Sequence, residues 1–494
     1  MDRPLVQGFL SIFGARVVRT VIAVITLPLI VRVLGPGGYG DYAFLMSTFS
    51  LYMIFVSSGV TEGAQKFAAE QRHDEWTRQV VGYYVRLAAV LAAVGTLGLV
   101  AVTATGVVGR VLGEEYTLYF TLLGAFVVTT QFRELGRRFL LAFGLELYSE
   151  SLKVASKVIW VTVGLVLAWI GFGVAGMIAG HLVATALVAL VGFWLVFRQV
   201  PFTSVFEPLP EEFPRTQFFS FNTLNILLVL LTMSLYHVDI VMLGMLAGSE
   251  ATGYYRAALA LAEYLWLVPI SLQALLLHST SALWSEEKRE RIDDLAARIT
   301  RYTVLFTGLL AVGIAGLAEQ FVPLYFGSDF TPAIVPILLL LPGTIGFAAA
   351  RPIIAISQAR GDLQPLIAAT GTAATINLVL NVLLIPPYGM IGAAVATSVG
   401  YGSMFAFHVI TARYLGYDPV GDLRIGRVVA TTAATGAVVF LLVGIIEAPL
   451  LALVVVPVAG GVVHLGSAIA TGAVDVEEIR GLLSSVPIPL PIGQ

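Results

Sequence analysis

The 494-residue sequence contains no cysteine. Disulfide bonds, thiolate nucleophiles and thiolate metal sites are therefore excluded. Its six histidines show no metal-ligand spacing, and we expect neither a metal nor another cofactor. Only 12% of the residues are charged, against roughly a quarter in soluble domains, and the net charge of −3 lacks the basic excess that a nucleic-acid partner requires. The chain has too little charge to give even one soluble domain a polar surface.

Apolar residues make up 58% of the chain, and the mean hydropathy is +0.90. They occur in runs of about 20 residues, the length at which an α-helix crosses a bilayer. These runs predict an all-α, polytopic membrane protein with about fourteen transmembrane helices joined by short loops.

The basic residues indicate the orientation, since Lys and Arg accumulate in cytoplasmic loops. With the N-terminus inside, nearly all of the 28 Lys and Arg residues lie in inside segments or within spans, and only Arg32 and Arg110 lie outside. This asymmetry predicts that both termini are cytoplasmic and that the protein is a multi-pass protein of the plasma membrane. The outside loops are too short to form a further domain.

Three sequence landmarks occur twice in the same order. The two copies are separated by 213 to 216 residues, and the matching positions are Gly40 and Gly253, Gly113 and Gly327, and Gly176 and Gly392. This spacing covers six helices, an even number, so both copies have the same orientation in the membrane. We therefore expect two six-helix lobes, an N-lobe and a C-lobe, related by a pseudo-twofold axis along the membrane normal.

The repeat also predicts domain boundaries. The N-lobe with helices 1–6 is assigned to residues 1–200, a cytoplasmic linker to 201–217, and the C-lobe with helices 7–12 to 218–412. Two further helices and a cytoplasmic tail, residues 413–494, lie outside the repeat. Two similar bundles that rock against each other can expose one cavity alternately to either face of the membrane.

Four segments resemble a known family. LGPGGYGDYAF follows helix 1, VDIVMLGMLAGSEATGYYRAALAL spans helices 7 and 8, LYFGSDFTPAIVPILLLL precedes and enters helix 10, and INLVLNVLLIPPYGMIGAAVATSVGYG forms helices 11 and 12. At these positions the chain is similar to polysaccharide-export (Wzx-like) flippases of the MATE/oligosaccharidyl-lipid flippase (MOP) superfamily. The resemblance implies a flippase that carries lipid-phosphate- or lipid-diphosphate-linked saccharide from the cytoplasmic to the outer leaflet, for surface polysaccharide or glycoprotein glycan assembly.

Several charged residues fall within the predicted spans, where a charge costs at least ~2.5–3.5 kcal/mol. The resemblance implies that arginines on helices 1 and 8 bind the substrate phosphate, and Arg16, Arg19 and Arg256 lie on those helices. Asp239 and Glu263 are the candidates for coupling transport to Na⁺ or H⁺. The structural alternatives are contacts of Arg16 and Arg19 with lipid headgroups, an interfacial anchor for Arg256, and an ion pair between Asp239 and an arginine of helix 1 or 8.

Two other functions agree with parts of the sequence. A cation-coupled multidrug exporter of the MATE type belongs to the same superfamily, but paired arginines suit an anionic headgroup better than a cationic drug. A membrane glycosyltransferase or polymerase needs carboxylates or a metal at a water-exposed loop, whereas the outside acidic residues are scattered over many loops. We therefore expect a transporter rather than an enzyme, with lipid-linked glycan and membrane lipid as its partners.

The absence of native cysteine makes the orientation testable by single-cysteine labelling. A Glu287→Cys variant is expected to react with a membrane-impermeant maleimide only after permeabilisation, because its loop is predicted to be cytoplasmic. An Asp329→Cys variant should react in intact cells, and the cysteine-free wild type is the control. Labelling of Glu287→Cys in intact cells would contradict the predicted orientation.

Overall fold

The computed structural model describes the backbone of residues 3–70 and 74–478, and it describes no side chains at residues 3–17, 19, 58–59, 74, 215, 217, 219–228 and 278. The described residues form helices joined by short turns and contain no β-strand. The α-helices are α1 (Arg3–Met53), α2 (Gly59–Ala69), α3 (Asp74–Ala104), α4 (Val107–Leu112), α5 (Glu114–Ala142), α6 (Glu146–Leu167), α7 (Gly173–Gln199), α8 (Arg215–Leu246), α9 (Ser249–Glu263), α10 (Leu267–Ser285), α11 (Arg289–Phe326), α12 (Ile334–Ala359), α13 (Gln364–Leu415), α14 (Ile425–Ile445) and α15 (Pro449–Ala470). The predicted all-α fold is confirmed.

Among the described residues, ten helical stretches are long and apolar enough to cross a membrane. Three of them have 38, 54 and 52 residues, more than the roughly 20 that one crossing needs. Non-helical backbone interrupts these three stretches at Gly35, Gly171 and Gly389. The protein is a multi-pass membrane protein, and the number of fourteen crossings stays a prediction.

The helices α6 and α7 form a tight antiparallel hairpin. A Cβ atom on Gly176 would lie 2.8 Å from the backbone nitrogen of Ala168, and one on Gly180 would lie 2.5 Å from that of Gly164. Higher residue numbers on α7 thus meet lower numbers on α6, so the chain reverses between the two helices. Glycine at these positions allows the two backbones to approach this closely.

The two halves of α13 form the corresponding hairpin in the second copy of the repeat. A Cβ atom on Gly392 would lie 2.1 Å from the carbonyl oxygen of Leu384, and one on Gly400 would lie 2.6 Å from Cβ of Asn377. Gly176 and Gly392, which the sequence analysis paired, therefore have the same role in their hairpins.

Matching glycines in the two copies also share a backbone conformation. Gly113 has φ 122° and ψ 151°, and Gly327 has φ 107° and ψ 158°. Gly173 has φ 48° and ψ −127°, and Gly389 has φ 53° and ψ −130°. Residues other than glycine rarely adopt these positive φ values. The sequence repeat is therefore a structural repeat.

The contacts of the chain divide it into two units, Met1–Arg256 and Ala257–Gln494. The first unit extends beyond the predicted linker because α8 packs against α1 and α2. The linker itself lies against α3, where a guanidinium nitrogen of Arg86 donates a hydrogen bond to the carbonyl oxygen of Glu207 at 3.0 Å. The predicted lobe boundaries, which follow the repeat rather than the contacts, stay a prediction.

In the second unit, α14 and α15 pack against α11. The fully buried Arg301 of α11 donates hydrogen bonds to both carboxylate oxygens of Glu478, at 2.5 and 2.8 Å, and to the carboxylate of Asp422. Arg424 extends this network through an ion pair of 2.8 Å with Asp475. Removing one partner of a buried ion pair is strongly destabilising, so the network holds the two helices outside the repeat against the second unit.

Candidate functional site

The predicted phosphate-binding arginines lie on α1 and α9. Arg16 and Arg19 are in α1, but their side chains lie outside the described residues. Arg256 is half-buried on α9 and is within electrostatic reach of Tyr42 on α1 and His237 on α8. The roles of the three arginines stay predictions.

The predicted ion-coupling carboxylates differ in their surroundings. Asp239 is fully buried on α8, where Oδ2 accepts a hydrogen bond from the Tyr255 hydroxyl and Oδ1 accepts one from the backbone N–H of Ile240 at 2.8 Å. Glu263 is half-buried and ends α9. Tyr255, the tyrosine partner of Asp239, lies on the next helix, α9, and was not expected from the sequence.

The first unit brings two matching segments of the repeat into contact with each other. A Cβ atom on Gly40 of α1 would lie 1.8 Å from the carbonyl oxygen of Ser249, and one on Gly253 of α9 would lie 2.0 Å from that of Pro36. Ser249 and Gly253 match Pro36 and Gly40 at a spacing of 213 residues. Each segment thus contributes a glycine that meets a backbone carbonyl oxygen of the other segment, as in a twofold-symmetric interface.

Hydrogen bonds to Asp41 reinforce this glycine contact. The carboxylate of Asp41, next to Gly40, accepts hydrogen bonds from the Tyr116 hydroxyl on α5, at 2.5 Å, and from the Ser249 hydroxyl on α9. Three helices of the first unit therefore meet at one carboxylate. In the predicted orientation this meeting point lies near the outer face of the membrane. The contact would then block access to the protein interior from that side.

A basic cavity of about 430 Å³ lies among α5, α6 and α7 of the first unit. The residues that line it are mostly charged or aromatic: Arg133, Glu134, Arg137, Lys153, Ser156, Lys157, Trp160 and His181. The spacing of four residues between Arg133 and Arg137, and between Lys153 and Lys157, directs each pair to one helix face. In the predicted topology these four cations belong to an inside segment and its helix ends, and the sequence pattern did not indicate a cavity there.

Two carboxylates neutralise only part of the positive charge around this cavity. Glu134 pairs with Arg133 at 2.7 Å and with Arg137 at 3.4 Å. Glu150 pairs with Lys153 at 2.5 Å and lies 4.0 Å from Arg137. With Lys157, four cations face two carboxylates, so the basic cavity carries a net positive charge.

The fourth cation, Lys157, contacts an aromatic side chain instead of a carboxylate. Its Nζ lies 4.0 Å from the ring centroid of Trp160, a cation–π contact worth up to about 2 kcal/mol where water is excluded. The Trp160 ring stacks on His181, with centroids 4.2 Å apart, and the His181 Nε2 lies 2.7 Å from the Tyr42 hydroxyl. We call Trp160, His181 and Tyr42 the aromatic ladder.

The second unit contains a cavity of opposite character, about 440 Å³ in volume, among α9, α11, α12, α14 and α15. Its lining is almost entirely apolar and includes Leu310, Phe321, Val456 and Pro457, with Tyr264 as a polar exception. An apolar chain fits this cavity, whereas a charged group does not.

Residues 5–272, more than half of the chain, match the family described as "Polysaccharide biosynthesis protein". The chain belongs to this family. The predicted resemblance to polysaccharide-export flippases of the MOP superfamily is confirmed.

Two relatives of the chain come from Haloferax volcanii. The "Probable low-salt glycan biosynthesis flippase Agl15" is 26% identical over 36% of this chain and 37% of that protein. The "Probable flippase AglR" is 23% identical over 87% of both chains. The chain thus matches little more than a third of the length of the first relative but most of the second.

Solved structures share the fold. The "Lipid II flippase MurJ, inward closed conformation" has a TM-score of 0.75 at 12% identity, covering 97% of this chain and 100% of that one. An inward-facing multidrug resistance MATE family transporter of the MOP superfamily has a TM-score of 0.66 at 15% identity, covering 81% and 98%. At these identities the likeness establishes the two-lobe fold and leaves the substrate open.

The contact between Gly40 and Gly253 predicts the effect of adding one methyl group. A Gly40→Ala variant should separate α1 from α9, because overpacking costs about 1–3 kcal/mol. A cysteine at Ser47, which is 3% exposed in the wild type, should then react with an impermeant maleimide at least about fivefold faster from outside.

Gly37→Ala is the matched control, since its new Cβ would meet only the Cγ of Glu250, at 3.9 Å. Equal labelling rates in the Gly40→Ala and Gly37→Ala backgrounds would show that the glycine contact does not close this end.

Proposed function

We propose that the protein is a flippase that translocates a lipid-linked oligosaccharide or polysaccharide precursor from the cytoplasmic to the outer leaflet by alternating access, for surface polysaccharide or glycoprotein glycan assembly. Its place is the plasma membrane, with both termini cytoplasmic. The observation that supports this function best is the net positive charge of the basic cavity in the first unit.

A flippase for such a substrate must take a phosphate group through a region of low dielectric constant. Desolvating that anion is costly unless cations and hydrogen-bond donors replace its water. The basic cavity supplies cations in excess of its carboxylates. The lipid chain needs only apolar surroundings, which the bilayer and the apolar cavity of the second unit both offer.

The two alternative functions have less support. The MATE fold agrees with a multidrug exporter, but a cationic drug would be repelled by the net charge of the basic cavity. A glycosyltransferase or polymerase is disfavoured because the two Haloferax volcanii relatives are named as flippases and the two fold neighbours as flippase and transporter. A transporter function therefore agrees best with both the charge and the comparisons.

We assign the remaining predicted residues within this function. Arg16, Arg19 and Arg256 bind the phosphate or diphosphate on its way through the protein. Asp239 and Glu263 bind the coupling ion, Na⁺ or H⁺, and the full burial of Asp239 supports this role because a buried carboxylate gains stability when it binds a proton or cation.

Substitution of the three arginines tests the phosphate-binding role. In liposomes that contain a fluorescent lipid-linked saccharide, Arg16→Gln, Arg19→Gln and Arg256→Gln should each slow its appearance in the outer leaflet by at least about tenfold. The reason is that a hydrogen bond to a charged group contributes about 1.5–3 kcal/mol. Arg110→Gln, an exposed arginine, is the control. Wild-type rates in all three variants would disprove the assignment.

Gradient dependence tests the coupling role of the buried carboxylate. An imposed Na⁺ or H⁺ gradient should accelerate flipping by the wild type, and Asp239→Asn, which keeps the shape but cannot ionise, should abolish the acceleration while Glu263→Gln reduces it. Glu250→Gln, on the exposed start of α9, serves as the comparison. If Asp239→Asn responds to the gradient as strongly as Glu250→Gln does, Asp239 is not the coupling group.

A further inference from the structure

The cations around the basic cavity are not equivalent. Arg133, Arg137 and Lys153 each have a carboxylate partner, Glu134 or Glu150, at 2.5 to 4.0 Å. Among the described residues, Lys157 has no such carboxylate partner, and its Nζ lies over the face of Trp160. An incoming anion would have to compete with a carboxylate for three of the cations but not for Lys157.

The aromatic ladder holds Lys157 in place without neutralising it. A carboxylate partner would cancel the charge of the lysine, whereas the face of Trp160 attracts the ammonium without adding a negative charge to the site. His181 packs against Trp160 and meets the Tyr42 hydroxyl. The contacts among these three rings, which lie on α6, α7 and α1, thus hold Trp160 in place, and Trp160 in turn positions the ammonium.

Unsatisfied donors point to the same ligand chemistry. Trp160 is 9% exposed and Arg137 is 5% exposed, and the indole Nε1 of the first and the Nε of the second have no hydrogen-bond partner among the described residues. A buried donor without a partner is costly. An anion with several acceptor oxygens would bind the ammonium and accept hydrogen bonds from such donors together.

We propose that Lys157 is the principal anion ligand of the basic cavity and that it binds a phosphate or diphosphate group, with Trp160 as its positioning residue. The inference rests on the proposed function and names the site at which that function recognises its headgroup. The phosphate could come from a lipid-linked saccharide or from a free nucleotide sugar. A volume of about 430 Å³ lies within the range of ligand pockets and accommodates a diphosphate with an attached sugar.

The test compares binding of three probes to the purified, full-length protein: a radiolabelled polyprenyl diphosphate saccharide, inorganic pyrophosphate as its competitor, and a nucleotide sugar as a second competitor. Lys157→Met should weaken pyrophosphate competition by at least about tenfold, and Lys157→Arg should restore most of it. Lys66→Met, another lysine next to an aromatic ring but outside the cavity, should bind like the wild type.

Two further results separate the roles within the site. Trp160→Leu should weaken pyrophosphate binding with Lys157 present but have little further effect in Lys157→Met, because it acts through the lysine. A lipid source predicts that the polyprenyl diphosphate saccharide binds far more tightly than the nucleotide sugar, and the reverse order would assign the site to the free nucleotide. Wild-type pyrophosphate binding by Lys157→Met would overturn the proposal.

A measurement on the wild type avoids dependence on variant folding. The chain has four lysines, Lys66, Lys153, Lys157 and Lys288, so acylation of each can be followed by peptide mass spectrometry. Pyrophosphate should protect Lys157 and leave Lys66 and Lys288 unchanged, and equal acylation of Lys157 with and without pyrophosphate would contradict the site. If Lys157 is protected but no saccharide reaches the outer leaflet, the site holds and the flippase function fails. If flipping proceeds without protection, the site fails and the function holds.

Discussion

A positive charge in the interior of a membrane protein is stable only where a counter-charge, an aromatic face or water offsets its desolvation. Around the basic cavity of the first unit, Glu134 and Glu150 provide this for three cations and Trp160 provides it for Lys157. These partners offset part of the desolvation cost, yet the cavity keeps a net positive charge. We propose that this imbalance selects an anionic substrate over a cationic drug.

The glycines of the repeat form a contact that the proposed alternating access would have to open and close. Gly40 and Gly253 allow α1 and α9 to meet through their backbones, and Asp41 adds hydrogen bonds from two helices. Such a contact has little side-chain surface to separate and few hydrogen bonds to exchange. A contact of this kind can open and close at modest cost, which alternating access requires.

Residue patterns were sufficient to predict the all-α membrane fold, the repeat and the family, because helix length, hydropathy and matching glycines are local properties. The matching backbone angles of the glycine pairs also depend on the local sequence. The basic cavity could not be predicted, although the four-residue spacings of Arg133 with Arg137 and Lys153 with Lys157 were present. Which cation remains without a carboxylate depends on how α5, α6 and α7 pack, and similarly the Tyr255 partner of Asp239 depends on a neighbouring helix.

Anion selectivity in the interior of the first unit is the property on which the proposed function depends. Equilibrium binding of pyrophosphate and of tetraphenylphosphonium to the purified protein, each over a range of ionic strength, measures this selectivity most directly. We expect pyrophosphate to bind with an affinity that falls as salt increases, and we expect the lipophilic cation not to compete with it. Anion selectivity would be contradicted if pyrophosphate does not bind at low salt while the cation binds tightly and is not displaced by pyrophosphate.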